Sequence, residues 1–101
     1  MSHASVPARD MAALRAQIAG ALQDALQPVT MELQDDSAQH AGHVGAKAGA
    51  HFTLRITAAA FAGRPRVARH RLVYDALAPW MAAGGGIHAL AIDARAPGET
   101  A

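Results

Sequence analysis

The chain has 101 residues, with 9 Lys+Arg against 8 Asp+Glu and no Cys, which indicates one small domain with short tails. The absence of cysteine excludes a disulfide framework, a thiol nucleophile and any metal or iron–sulfur site that depends on the chain's own thiolates. A net charge of +1 argues against broad electrostatic attraction to nucleic acid or anionic lipid. Because 27 of the residues are Ala, we expect a small core and modest stability.

The first predicted element is an amphipathic helix from about Pro7 to Leu26, whose bulky apolar residues follow a strict four-residue step. Pro28 ends it, since proline disfavours helical geometry in the residue before it. Apolar and polar side chains then alternate over residues 29–34 and again over 52–57, which predicts two strands. Between them, Asp35 to Ala50 holds one bulky apolar residue, Val44, so we expect a flexible loop at the tip of an antiparallel hairpin.

The second half of the chain predicts a turn, a helix and a strand. Phe61 to Pro65 forms the turn, and the helix runs from Pro65 to about Ala78. Its predicted inward stripe consists of Val67, Tyr74, Leu77 and Met81. A run of three glycines at 84–86 separates this helix from a third strand, residues 87–94.

The order helix, strand, strand, helix, strand predicts an α+β (αββαβ) two-layer sandwich, with two helices on one face of a three-stranded mixed sheet. The strands on either side of the second helix can pair in parallel through a crossover. We expect residues 7–96 to form the domain, with tails at 1–6 and 97–101. The N-terminal residues lack the charged start and apolar stretch of a signal peptide, and no long apolar run occurs, so we expect a cytoplasmic protein without membrane contact.

Histidines in the long loop are the first candidate ligands. His40 and His43 could present two neutral imidazoles to one metal, with Asp35 or Asp36 as a carboxylate neighbour. The alternative is a solvated polar loop. His51 lies beside the loop.

His88 is a further candidate, because it follows the three glycines and opens the last strand. On a regular strand it shares its face with Leu90 and Ile92. The alternative is a strand-end histidine bonded to a backbone carbonyl.

A basic cluster occupies the start of the second helix, in a stretch with no acidic residue between Phe61 and Tyr74. Its members are Arg64, Arg66, Arg69, His70 and Arg71. Phosphate contact would suit these residues. However, cations in the first turn oppose the helix dipole, and no aromatic residue is interleaved for base stacking. A solvated face or an acidic protein partner is the alternative.

No catalytic residue is predicted. Ser37, His40 and a neighbouring aspartate have the residue types of a catalytic triad. However, they share one loop without the rigid elbow or oxyanion donors of acyl transfer. The three glycines precede a strand rather than a helix, so no helix N-terminus is available there to hold phosphate.

Four segments together resemble the BolA-like proteins, over roughly Leu14 to Pro97. They are Asp35-Asp36-Ser37 followed by His40, His51-Phe52, Phe61-Ala62-Gly63 followed by Arg69-His70-Arg71-Leu72-Val73-Tyr74, and Ile87-His88-Ala89-Leu90. The resemblance implies a domain related to the class II KH fold, in agreement with the order of elements above.

The resemblance also implies a function: a non-catalytic partner of a monothiol glutaredoxin, sharing a [2Fe-2S] cluster in iron–sulfur maturation, trafficking or iron regulation. The glutaredoxin and glutathione would supply thiolates. This chain would supply His88 and a second histidine from the loop, His40 or His43, of which we favour His40 because it follows the Asp-x-Ser segment. The segment from Arg69 to Tyr74 would form part of the docking surface.

The same resemblance implies a rival function, transcriptional regulation by direct DNA binding through the basic KH-like surface at Arg64, Arg66, Arg69 and Arg71. Salt dependence separates the two, because binding to phosphates weakens steeply as salt rises. His70 lies within the predicted helix, where packing or capping is expected rather than metal ligation. A small core and exposed histidines would also allow weak self-association.

Overall fold

The computed structural model describes residues 8–36, 50–82 and 85–99. The elements in chain order are α1 (Ala8–Leu26), β1 (Thr30–Asp35), β2 (Ala50–Thr57), a 3-10 turn (Ala59–Phe61), α2 (Arg66–Ala76), α3 (Ala78–Met81) and β3 (Ile87–Arg95). The predicted α+β order is therefore confirmed, with one short helix added between α2 and β3.

Helix α1 buries the side chains that its four-residue spacing predicts. Leu14, Ile18, Leu22 and Leu26 are each no more than 9% exposed. Gln27, at a φ of 46°, adopts the left-handed conformation common at helix ends, and its N–H donates to the carbonyl of Gln23 at 3.0 Å. This cap turns the chain toward β1.

The sheet has the order β1-β2-β3, with β2 in the centre. Strands β1 and β2 are antiparallel, with Leu33 opposite Leu54, and β2 and β3 are parallel, with Leu54 opposite Ile92. The predicted three-stranded mixed sheet is thus confirmed. Alternate residues of β2 point toward the helices and are buried: Ala50, Phe52, Leu54 and Ile56.

Helix α2 faces the sheet differently from the prediction. Val67 is 66% exposed and Tyr74 40% exposed, so neither belongs to the inward stripe. The buried positions are Val73 and Leu77, which lie four residues apart. At 3.6 residues per turn, Val67 lies about 120° around the helix from Val73, which turns it toward solvent. The predicted stripe was therefore wrong at these two positions.

The second helix is also shorter than predicted, because the α2 segment ends at Ala76 and Pro79 lies in the first turn of α3. A proline there costs no helical hydrogen bond. Trp80 of α3 donates from its indole nitrogen to the Gln17 side chain of α1 at 3.2 Å, which links the two helices. Among the described residues, no helix is long and apolar enough to cross a membrane.

Candidate functional site

A bulge at the start of β3 determines where His88 points. Ala50 pairs with Ile87, but His51 pairs with Ala89, so one extra residue is inserted in β3 at position 88. Ile87 is buried and Leu90 packs against the core, whereas His88 and Ala89 between them are both exposed. The prediction that His88 shares a face with Leu90 was therefore wrong, because the bulge reverses the alternation after Ile87.

Two glycines fix the chain just before the bulge. The N–H of Ala50 donates to the carbonyl of Gly86 at 2.8 Å, which ties this segment to β2. Gly86 has a φ of 114°, and a Cβ there would lie 3.2 Å from the Leu14 side chain. Gly85 packs against the backbone of α3, where a Cβ would meet the Pro79 carbonyl oxygen at 2.4 Å. The contact of Gly85 with the α3 backbone and the positive φ of Gly86 beside the Leu14 side chain thus set the start of β3.

His88 lies next to His51 on the sheet face opposite the helices. Their ring centroids are 5.1 Å apart and their ring planes are tilted by 40°. His51 is half-buried at an outward position of β2, between the buried residues Ala50 and Phe52. His51 was not among the predicted ligands, which were His88, His40 and His43. The signal for it was present, since Ile87 and Leu90 can both point inward only if the strand carries an extra residue between them.

A groove of about 310 Å³ on this face is lined by Asp36, His51, Thr53, Ala89 and Ala91, among others. The N–H of Asp36 donates to the carbonyl of His51 at 2.7 Å, which brings the carboxylate to the same end of the sheet. The Asp36 carboxylate accepts hydrogen bonds from the Thr53 hydroxyl at 2.5 Å and from the side-chain amide of Gln34 at 2.7 Å. The site thus combines two imidazoles with one nearby negative charge.

The other end of the same face is occupied by ion pairs. Arg55 contacts Glu32 at 2.9 Å, and Arg95 contacts Asp93 at 2.7 Å. Hydrogen bonding from Arg95 lowers the pKa of Asp93 below its usual value. These four charges cancel, which distinguishes this end of the face from the histidine end.

The predicted loop ligands His40 and His43 lie outside the described residues, as does Ser37. Their roles stay predictions. Within the described ranges, no group of three or more histidine, aspartate or glutamate side chains converges as a metal site. The His51–His88 pair is therefore an incomplete set of ligands.

The members of the basic cluster at the start of α2 differ in their contacts, and Arg69 is the one held in an ion pair. Arg69 forms two hydrogen bonds to the Glu99 carboxylate, at 2.6 and 2.8 Å, and also donates to the carbonyls of Arg64 and Ala94. Glu99 also accepts from the N–H of Ala96. The hydrogen bonds from Arg69 and Ala96 lower the pKa of Glu99 from 4.5 to about 2. Arg69 thus ties α2 to the residues after β3, including part of the predicted C-terminal tail.

The remaining members of the cluster are more accessible. Arg66, Arg71 and Tyr74 are exposed, and His70 is half-buried within α2. Arg64 is exposed and donates to the carbonyl of Ala60 at 2.9 Å. The surface available to a partner is therefore centred on Arg66, Arg71 and Tyr74, and any role of these residues in binding stays a prediction.

Comparison with known proteins agrees with the fold. The chain matches the family of BolA-like proteins over residues 22–99. It is 44% identical over 84 residues to SufE-like protein 1, chloroplastic/mitochondrial, of Arabidopsis thaliana, covering 77% of this chain and 22% of that protein. It is 40% identical over 86 residues to BolA-like protein 1 of Homo sapiens, covering 85% of this chain and 60% of that protein. The chain thus spans about a fifth and about three fifths of these two relatives.

Among solved structures, the BolA domain of SufE1 from Arabidopsis thaliana superimposes with a TM-score of 0.73 at 41% identity. The match covers 95% of this chain and 100% of that domain.

Proposed function

The chain belongs to the BolA-like protein family, and on this premise we propose that it is a non-catalytic partner of a monothiol glutaredoxin, with which it shares a [2Fe-2S] cluster. The observation that carries the proposal is the pair formed by exposed His88 and half-buried His51 in a chain without cysteine. Iron–sulfur clusters are held by thiolates or, as in Rieske centres, partly by imidazoles. This chain can therefore contribute imidazoles, while the glutaredoxin and glutathione contribute the thiolates.

His88 is the principal ligand in this proposal, because the bulge turns it outward at the end of the sheet. The second ligand is a loop histidine, His40 or His43, or the neighbouring His51. Imidazole ligands in place of thiolates make a cluster less negative and raise its reduction potential. The donor set of this chain fits a cluster that is completed only when the partner binds.

The docking surface proposed for the glutaredoxin includes the exposed part of α2. Arg66 and Arg71 give it positive charge, and Val67 and Tyr74 give it exposed apolar area. Aromatic residues and arginine are enriched where proteins meet, which suits an acidic partner surface. Arg69 supports this surface through its ion pair with Glu99.

The biological role that we propose is iron–sulfur maturation, trafficking or iron regulation in the cytoplasm. The SufE-like name of one relative is in keeping with an iron–sulfur role. Relatives also carry chloroplastic and mitochondrial names, so the compartment is part of the proposal rather than a consequence of the family.

The test is an anaerobic titration of the chain into a monothiol glutaredoxin that carries a glutathione-ligated [2Fe-2S] cluster, followed by visible circular dichroism. We expect a saturable change at one chain per glutaredoxin, with retention of the iron. His88→Ala should abolish the change. A His3→Ala variant is the matched control, because position 3 lies outside the part of the chain that matches the family.

Two further variants identify the second ligand. His51→Ala is compared with the double replacement of His40 and His43 by Ala, and the replacement that abolishes the heterodimer spectrum has removed the second ligand. A wild-type chain that leaves the glutaredoxin spectrum unchanged would refute the proposed function.

A further inference from the structure

The turn that follows β3 returns a carboxylate to the guanidinium of Arg69. The N–H of Glu99 donates to the carbonyl of Ala96 at 3.1 Å, with Pro97 and Gly98 between them. Gly98 has a φ of 89°, so proline at the second position and glycine at the third match a type II turn. We propose that this turn is an autoinhibitory contact, in which Glu99 closes a phosphate-binding site at Arg69.

The donors around the Glu99 carboxylate form an oxyanion site. Arg69 donates from Nη1 to Oε1 at 2.6 Å and from Nη2 to Oε2 at 2.8 Å. The N–H of Ala96 donates to Oε1 at 3.0 Å. Guanidinium groups that donate two hydrogen bonds, together with backbone N–H groups, are common contacts of proteins with phosphate. The carboxylate thus takes the place that two phosphate oxygens would occupy.

The guanidinium is held in place independently of Glu99. Arg69 donates from Nε to the carbonyl of Arg64 at 2.7 Å and from Nη1 to the carbonyl of Ala94 at 3.1 Å. Its side chain is 14% exposed, whereas that of Glu99 is 43% exposed. The arginine therefore belongs to the fixed part of the fold, and Glu99 is the part that a ligand would displace.

The charges near this site favour an anion with more than one negative charge. The contact with Arg69 is the main cause that lowers the pKa of Glu99, and the charge of Arg95 also contributes. The contact with Arg95 likewise lowers the pKa of Asp93, with a smaller contribution from Arg66. Opening the turn leaves these three arginines with one carboxylate, Asp93. A phosphate monoester, or two adjacent phosphates of a nucleic acid, brings about two negative charges, so the open site suits phosphate better than a single carboxylate.

Two variants open the site in different ways. Glu99→Ala removes the carboxylate, whereas Gly98→Ala weakens the turn without a change of charge. Alanine disfavours a positive φ, and a Cβ at position 98 meets nothing within 4 Å, so the strain falls on the turn alone. Fluorescence anisotropy with a labelled duplex oligonucleotide measures binding. We expect the affinity to rise at least about tenfold in Glu99→Ala and about fivefold in Gly98→Ala.

Glu32→Ala is the matched control, because it removes an equal charge from the exposed ion pair with Arg55. At about 0.1 M salt, where charges are screened beyond about 10 Å, it should change the affinity by less than about threefold. Combining Arg69→Ala with Glu99→Ala should abolish the gain in affinity. The slope of log affinity against log salt should be steeper by about one in Glu99→Ala than in wild type, because one more arginine reaches phosphate.

Titration with inorganic phosphate, followed by nuclear magnetic resonance of the arginine Nε–H signals, distinguishes the two sources of the phosphate group. A gain in affinity for the duplex assigns the site to a nucleic-acid backbone, and a gain for inorganic phosphate alone assigns it to small phosphate compounds. A Gly98→Ala chain with wild-type affinity for both ligands, or a Glu32→Ala chain with the gain of Glu99→Ala, overturns the proposal. Far-ultraviolet circular dichroism checks that each variant is folded. Neither titration contains glutaredoxin or a cluster, so the outcome is independent of the proposed function.

Discussion

Replacing Gly85 by alanine tests whether contact with α3 sets the start of β3. A Cβ at position 85 would lie 2.4 Å from the carbonyl oxygen of Pro79 and 2.7 Å from both the carbonyl carbon and oxygen of Trp80. All three are backbone atoms, so no side-chain rotation relieves the clash. Either α3 or the segment before β3 must move.

The expected cost is that of inserting a methyl group into a filled space, about 1–3 kcal/mol of unfolding free energy. For a domain of this size, each kcal/mol lowers the melting temperature by about 4–8 °C, so Gly85→Ala should unfold roughly 4–24 °C below wild type. The imidazole resonances of His88 should also shift, because the altered segment leads directly into the bulge.

Gly20→Ala is the matched control, since Gly20 lies within α1 and a Cβ there meets nothing within 4 Å. Alanine is favoured over glycine in a helix interior, so this variant should gain about 0.5–1 kcal/mol. Thermal unfolding followed by circular dichroism measures both variants. A Gly85→Ala chain that melts with wild type would refute the account of how the start of β3 is positioned.

Three further predictions concern the ion pair, the core and the basic surface. The pKa of Glu99 is lowered from 4.5 to about 2 by Arg69 and Ala96, so its contribution to stability is full above about pH 4.5 and is lost as pH falls toward 2. Urea unfolding at several pH values should show this acid-side loss in wild type, and a Glu99→Gln chain should show less of it. Leu54→Ala removes a fully buried side chain from β2 and should cost about 2–5 kcal/mol in the same urea assay, and a loss below 1 kcal/mol would contradict the core assignment. If α2 binds DNA, fluorescence anisotropy should show an affinity that falls steeply between about 50 and about 200 mM salt and further in Arg71→Ala, whereas cluster sharing should not follow that salt slope. Arg69→Ala would not isolate phosphate contact, because it also breaks the pair with Glu99.

The order of elements was predictable because the hydrophobic spacing is regular. Leu14 to Leu26 repeat every four residues, and the apolar residues of β1 and β2 alternate with polar ones, so each segment matches one period. The buried face of helix α2 was harder to predict from the sequence. Its apolar residues Val67, Val73, Tyr74 and Leu77 span an arc of about 120° around the helix. The packing against the sheet buries only the edge of that arc that carries Val73 and Leu77, and the spacing alone does not select that edge.

The candidate site was predictable in part. His88 follows from its place after the glycines, but its outward direction depends on a bulge whose extra residue is specified by pairing with β2. The neighbour His51 depends on the same register. The ion pair between Arg69 and Glu99 joins residues 30 positions apart and has no local sequence signal.

Pulsed electron paramagnetic resonance of the reduced heterodimer tests the central claim most directly. The chain is labelled with ¹⁵N-histidine and mixed with an unlabelled monothiol glutaredoxin that carries the [2Fe-2S] cluster. We predict a strong ¹⁵N hyperfine coupling to the cluster that is present in wild type and in His3→Ala and is lost in His88→Ala. A reduced cluster that shows no coupling to histidine nitrogen of this chain would contradict the account.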